Sequence, residues 1–256
     1  MLIYIAFLLT TLLLLAFSFY HLQYFMLFTP TYKRSENLPK GCEILSITAS
    51  DGIELEGVSY TPKKIKATLL FFVGRSHDSV GLISKLAQTY PDYRIISFNY
   101  RSYGKSGGKV EEKLLYNDAL HIAKIVEKNY GDFYLFGFSL GSSIAAYVAQ
   151  YQKSNALFLV GAFDSIAYLV KRKYHLYIPL LLRYKFNTLE YVQNVDALTY
   201  LFSSRTDRLT YIENAQHLAQ YIKNLQRFIV VDATTHFDLL WHDEVVDTVK
   251  EVIENV

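Results

Sequence analysis

The chain has 256 residues and a formal net charge of +2. That length suffices for one domain with a sizeable core, and so balanced a charge, with no long basic run, excludes nucleic acid as a main partner. A single cysteine, Cys42, excludes an intrachain disulfide, and without a His/Cys/Asp cluster no metal or cofactor is expected.

The chain opens on "MLIYIAFLLTTLLLLAFSFYHLQYFMLF", and its first charged side chain is Lys33. About 20 apolar residues span a bilayer as a helix, and Leu2 to Tyr20 nearly meets this alone. Tyr20, Tyr24 and Phe25 suit the interface. A secretory signal wants a basic n-region, which is missing, although Ala16-Phe17-Ser18 is a weak cleavage site. Residues 1–28 are therefore read as a retained membrane anchor, with a signal peptide and a buried helix as the other readings. Lys33, Arg34 and Lys40 follow the span, so the positive-inside rule puts the remainder in the cytoplasm. Residues 29–42 read as a Pro- and Gly-containing linker, and 43–256 as the domain.

"EILSITA" and "IELEGVSY", split by Asp51-Gly52, read as a hairpin. "ATLLFFVG" is a buried strand that ends at Gly74-Arg75-Ser76, "SVGLISKLAQTY" a helix, "YRIISFNY" a strand, and "EEKLLYNDALHIAKIVEKN" an amphipathic helix. "DFYLFGFSLGSSIAAYVAQ" then places Ser139 between Gly137 and Gly141 where a strand becomes a helix. G-x-S-x-G at such a junction is a nucleophile elbow, a tight turn whose flanking residues must lack bulk. "ALFLVGAF" is the next strand, followed by a segment of helical character and by "ALTYLFSS". A helix near "IENAQHLAQYIKNL", the strand "RFIVVDA" and a last helix "EVVDTVKEVIENV" complete the chain. A hairpin followed by strand–helix alternation predicts an α/β fold, a mostly parallel sheet with helices on both faces, preceded by one transmembrane helix.

A serine nucleophile needs a base, and the base an orienting acid; in elbow-bearing folds these follow the serine, acid first. Of seven histidines, His236 has the expected position, on the loop after the last strand. Asp207, at the end of the preceding strand, is the expected acid; Asp164, one strand earlier, is the alternative, and Asp232 lies too near His236 along the chain. An oxyanion hole would take the backbone N–H groups of Leu140 and Arg75.

With those residues placed, the chain from about Leu22 onward resembles the α/β-hydrolase superfamily. Its nearest likeness is to membrane-anchored serine hydrolases with serine aminopeptidase-like or monoacylglycerol-lipase-like domains. "FMLFTP", "SFNYRSYGKSGG", "GFSLG", "FSSRTDRLT" and "THFDLL" carry the likeness, as does the segment "AFDSIAYLVKRKYHLYIPLLLRYKFNTLEYV" before the acid strand. The chain departs from the family pattern at Val73-Gly74-Arg75, where His-Gly-Asn is common, at Asn99 (for Asp), Ser102 (for Gly), Ser204 (for Gly) and Thr210-Tyr211 (for Val-Pro). Arg75 is expected to face an acidic substrate group or solvent, and Arg101 to brace its loop. The resemblance implies a serine hydrolase acting on an ester or thioester of an apolar, lipid-like acyl group. The alternatives are a non-catalytic scaffold or lipid-binding protein, and a peptidase of the same fold. The aromatic and basic residues between Tyr168 and Lys185 suit a lid at a membrane surface, against the plainer reading of a packed helix with a solvated basic face.

Overall fold

A computed structural model describes residues 2–33, 38–232 and 235–255 of the chain; Arg34 lies outside the described residues. The apolar opening forms one helix, α1 (Leu2–Leu27), long and apolar enough to cross a membrane. At 1.5 Å per residue it measures about 39 Å, against about 30 Å of hydrocarbon. Most of its side chains are exposed; Gln23 is buried, and Tyr24 and Leu27 pack partly against the core.

The other elements follow in the predicted order. β1 (Cys42–Thr48) and β2 (Glu54–Tyr60) are the hairpin. β3 (Ala67–Phe72), α2 (Ser79–Thr89), β4 (Tyr93–Phe98), α3 (Glu112–Tyr130), β5 (Tyr134–Phe138), α4 (Leu140–Ala149) and β6 (Ala156–Val160) come next. An insert of α5 (Ile166–Tyr174), a 3-10 turn at Pro179–Leu181 and α6 (Thr188–Val192) separates β6 from β7 (Leu198–Ser204). Then come α7 (Ile212–Ala219), β8 (Leu225–Val231) and α8 (Asp243–Asn255). The helix read through Leu225 stops at Ala219, because Leu225 is needed to open β8 against β7.

The eight strands lie in the order β1-β2-β4-β3-β5-β6-β7-β8, and every pairing from β4 to β8 is parallel. The central strands are buried on both sides, so they read as continuous apolar runs. Phe71, Phe136 and Phe158 run across them, with ring centroids 4.8 and 6.0 Å apart. The chain leaves β3 toward β4 but leaves β5 toward β6, in the opposite direction along the sheet. Right-handed crossovers then put α2 and α4 on opposite faces. The crevice between the carboxyl ends of β3 and β5 is the switch point where ligands bind in open α/β sheets.

The end of α1 is seated on this domain. Phe28 is 3% exposed and packs edge-on to Tyr184 at 4.9 Å, with Phe186 at 6.1 Å. The Gln23 amide donates to Leu181 O and accepts from Arg183 N–H, both at 2.8 Å. Beyond the helix, Thr29 N–H donates to the Tyr103 hydroxyl, and Gly104 N–H donates to Thr31 O.

Candidate active site

Ser139 stands where β5 turns into α4, at φ 54° and ψ −119°, a region that an L-residue adopts only under constraint. The constraint is visible on both sides. A Cβ on Gly141 would lie 2.1 Å from Phe72 O, and one on Gly137 would lie 2.5 Å from Gly141 O. No side chain fits either position. The turn is pinned by Ser139 N–H donating to Val160 O at 2.8 Å and by the Ser142 hydroxyl donating to Gly137 O at 2.9 Å.

Three carboxylates compete for His236 in the sequence, and the structure separates them. Asp207 is 4% exposed, and its Oδ2 lies 2.6 Å from His236 Nδ1. Its Oδ1 accepts from Leu209 N–H at 2.7 Å and Thr210 N–H at 3.0 Å, and the Thr210 hydroxyl donates to Oδ2 at 2.7 Å. Burial by itself would raise this carboxyl's pKa; the His236 hydrogen bond and charge, with Thr210 and Leu209, outweigh it and hold the value below the ordinary one. Asp164 is buried elsewhere, bonded to His217 Nδ1 and Asn214 Nδ2, both at 2.8 Å. Asp232 is exposed and pairs with Arg205.

His236 is 5% exposed and packs against Phe138 at 5.1 Å. Its ring edge lies over Gly161, where a Cβ would come within 3.0 Å of Cε1. Ser139 and His236 line one cavity of about 190 Å³, together with Leu140, Arg75, His77 and Tyr174. Among the described residues, no hydrogen bond joins the Ser139 hydroxyl to His236, no carboxylate lines this cavity, and no group of His, Cys, Asp or Glu is placed to hold a metal. Catalytic hydrogen bonds often tighten only when substrate is bound. Neither the Leu140 nor the Arg75 backbone N–H has a protein acceptor among the described residues.

No family model matches the sequence, and a search of curated proteins finds no match. Solved structures do match. The chain is similar to the esterase Pf2001 of Pyrococcus furiosus, with 18% identity, a TM-score of 0.69, and 90% of this chain and 97% of that one covered. It is similar to an alpha-beta serine hydrolase homologue from Coxiella burnetii (20% identity, TM-score 0.61, 87% and 100% covered). It is also similar to the α/β hydrolase GrgF from a Penicillium species (13%, 0.66, 85% and 99%). The chain has the α/β-hydrolase fold.

On the α/β-hydrolase fold, the departures noted in the sequence acquire physical reasons. Asn99 donates from Nδ2 to Glu56 at 3.1 Å and to Asp78 at 3.0 Å, while its Oδ1 accepts from Ser79 N–H. An aspartate there would be a third carboxylate in one buried cluster. Ser102 sits at φ 66°, where glycine is at ease, and its hydroxyl donates to Gly108 O. Thr210 supplies Asp207 with a donor that valine lacks. Arg101 is 2% exposed and bridges Asp118 and Asp51, bracing the loop after β4.

The Arg75 side chain, half-buried at the edge of the cavity, reaches the end of α1, a partner the sequence did not indicate. Its Nη1 donates to Met26 O at 2.6 Å and reaches Leu27 O at 3.5 Å, the terminal carbonyls of α1. A guanidinium at a helix C-terminus satisfies orphan carbonyls and complements the dipole. Sequence reasoning also passed over His77, because it precedes the serine. It lines the cavity between Phe138 and Phe237, with Nδ1 buried and unpartnered. Burial holds its pKa below the ordinary histidine value. Its place three residues after Gly74, on the loop that borders the elbow, was the available signal.

Proposed function

We propose that the protein is a membrane-anchored serine hydrolase that cleaves an ester or thioester of an apolar acyl group. The observation that carries this reading is Ser139 on a strained elbow in the same cavity as His236, whose Nδ1 is bonded to a buried Asp207. With Nδ1–H given to Asp207, Nε2 keeps the lone pair that accepts the serine proton. Ser139 Oγ bonds to the acyl carbon, and the Leu140 and Arg75 N–H groups receive the oxyanion. The carbon–leaving-group bond then breaks as His236 returns its proton to the leaving group. Water, deprotonated by His236, releases the acid and restores the serine.

Apolar side chains from Leu27, Ile166, Leu169 and Val170 border the cavity and favour an apolar acyl chain. Recognition of a peptide amine would need a carboxylate at the cavity wall, and none lines it among the described residues. The length and apolarity of α1 support a bilayer anchor, and the cations after it favour the cytoplasmic side. The test is labelling with fluorophosphonate probes of short and long chain. The expected result is one adduct, at Ser139, abolished by Ser139→Ala and strongly reduced by His236→Ala. A folded wild-type protein that resists both probes refutes the reading and leaves a lipid-binding protein without catalysis.

A further inference from the structure

Between the last turns of α1 and the insert runs a second cavity, an apolar groove of about 420 Å³. Ligand sites commonly measure about 300–1,000 Å³. Phe19, Met26 and Leu27 form its helix wall; Ile178, Leu182 and Tyr184 form its domain wall. From Phe19 to Leu27 the helix wall extends about 12 Å at 1.5 Å per residue. The one amide in the groove, Gln23, is engaged by Leu181 O and Arg183 N–H, and the other polar side chains on its walls are Tyr174 and Tyr184, the Tyr184 hydroxyl being buried without a partner; the rest of the lining is apolar. Leu27, Ile166, Val170 and Tyr174 border both this groove and the Ser139 cavity, which makes the two spaces neighbours through shared side chains.

The surroundings identify an occupant. Beside the groove the insert raises Leu176, Leu180 and Leu181 out of the domain, Leu180 at 97% exposure. The exposed cations Lys171, Arg172 and Lys173 precede that crest in the chain; Arg183 follows it, paired with Glu111, and its guanidinium lies 5.1 Å over the Tyr20 ring of α1. An apolar crest with basic flanks and interfacial aromatics suits the boundary between headgroups and acyl chains. A groove walled by a bilayer-spanning helix and opening at that boundary meets lipid tails before any other apolar ligand.

We infer that one acyl chain of a bilayer lipid enters sideways between α1 and the insert, fills this groove, and lays its ester carbonyl at Ser139. The inference deepens the serine-hydrolase reading and rests on it for the chemistry. The helix is then one wall of the substrate site as well as an anchor.

The full-length protein in phosphatidylcholine vesicles tests this. Two variants, Ile178→Trp on the domain wall and Met26→Trp on the helix wall, narrow the groove from opposite sides, and a fold check by circular dichroism selects the one to use. The readout is the ratio of kcat/KM for 4-nitrophenyl palmitate to that for 4-nitrophenyl acetate. Displacing two methylenes from an apolar site costs about tenfold, so the ratio should fall by at least about that factor. An unchanged ratio in a folded variant overturns the inference. A second arm needs no catalysis: Ser139→Ala protein is irradiated in vesicles carrying a phosphatidylcholine with a diazirine on its acyl chain. Adducts on Ile178 and Leu182 support the groove; adducts confined to the outward face of α1 overturn it. If the wild type hydrolyses neither ester and resists fluorophosphonates, the hydrolase reading falls, and the photoadducts alone then decide whether the groove takes an acyl chain.

Discussion

Phe28→Ala distinguishes a helix that is docked from one that is merely tethered. Phe28 is 3% exposed, with Tyr184 at 4.9 Å, Tyr24 at 5.6 Å and Phe186 at 6.1 Å around its ring. Two of these three neighbours belong to the stretch between β6 and β7, so the ring joins the end of α1 to the domain. Truncating a buried phenylalanine to alanine costs about 3–5 kcal/mol, from lost transfer energy and from the cavity left behind. In a chain of this length each kcal/mol moves Tm by about 2–4 °C, which gives a fall of about 6–20 °C. The assay is thermal unfolding of the detergent-solubilised full chain, followed by near-UV circular dichroism. Phe28→Leu, which keeps most of the volume, should recover more than half of the loss. A surface substitution is ordinarily within about 0.5 kcal/mol of neutral, so a fall below about 2 °C for Phe28→Ala would refute the docking.

Three further outcomes follow from the geometry. Thr210→Val removes the hydroxyl that donates to Asp207 at 2.7 Å; a hydrogen bond to a charged group is worth about 1.5–3 kcal/mol, so kcat for ester hydrolysis should drop by about 10- to 100-fold, and an unaltered kcat would remove Thr210 from the acid's support. Gly141→Ala puts a Cβ 2.1 Å from the Phe72 carbonyl oxygen; backbone must move, and recovery of folded protein with an unchanged Tm contradicts the tight elbow. Burial, with His236 and Lys33 nearby adding to it, lowers the pKa of His77 in the folded state, while in the unfolded chain it takes up a proton near its ordinary value of 6.5. The unfolded state thus binds more protons, so stability against urea should decline as pH falls through 6.5 toward the lower folded value, and less steeply in His77→Gln. Equal slopes for the two proteins would dismiss His77 as a source of that decline.

What was legible in the sequence was local. Gly137 and Gly141 announce the elbow because each answers to backbone atoms a few residues away or on the adjoining strand. The double-buried strands β3, β5 and β6 show as unbroken apolar runs, since both faces of each are covered. The illegible part was set by contacts between distant segments. The guanidinium of Arg75 meets carbonyls 48 and 49 residues earlier, and Gln23 meets backbone 158 and 160 residues later. The opening segment is apolar on every side, so no periodicity singled out the turn of α1 that touches the domain. Phe28 looked like one more apolar residue of a membrane span. Asn99 read as a departure from a family pattern until Glu56 and Asp78 were seen on either side of it.

Arg75 has one further consequence. It bears a backbone N–H on the loop that borders Ser139, and its side chain grips the last carbonyls of α1. Loop and helix end are therefore linked through one side chain. Helices answer a bilayer of unmatched thickness by tilting. On the proposed bilayer anchoring, a tilt that moves Met26 would pull on the loop through this bond, and the thickness of the membrane would then be a mechanical input to the geometry around the serine.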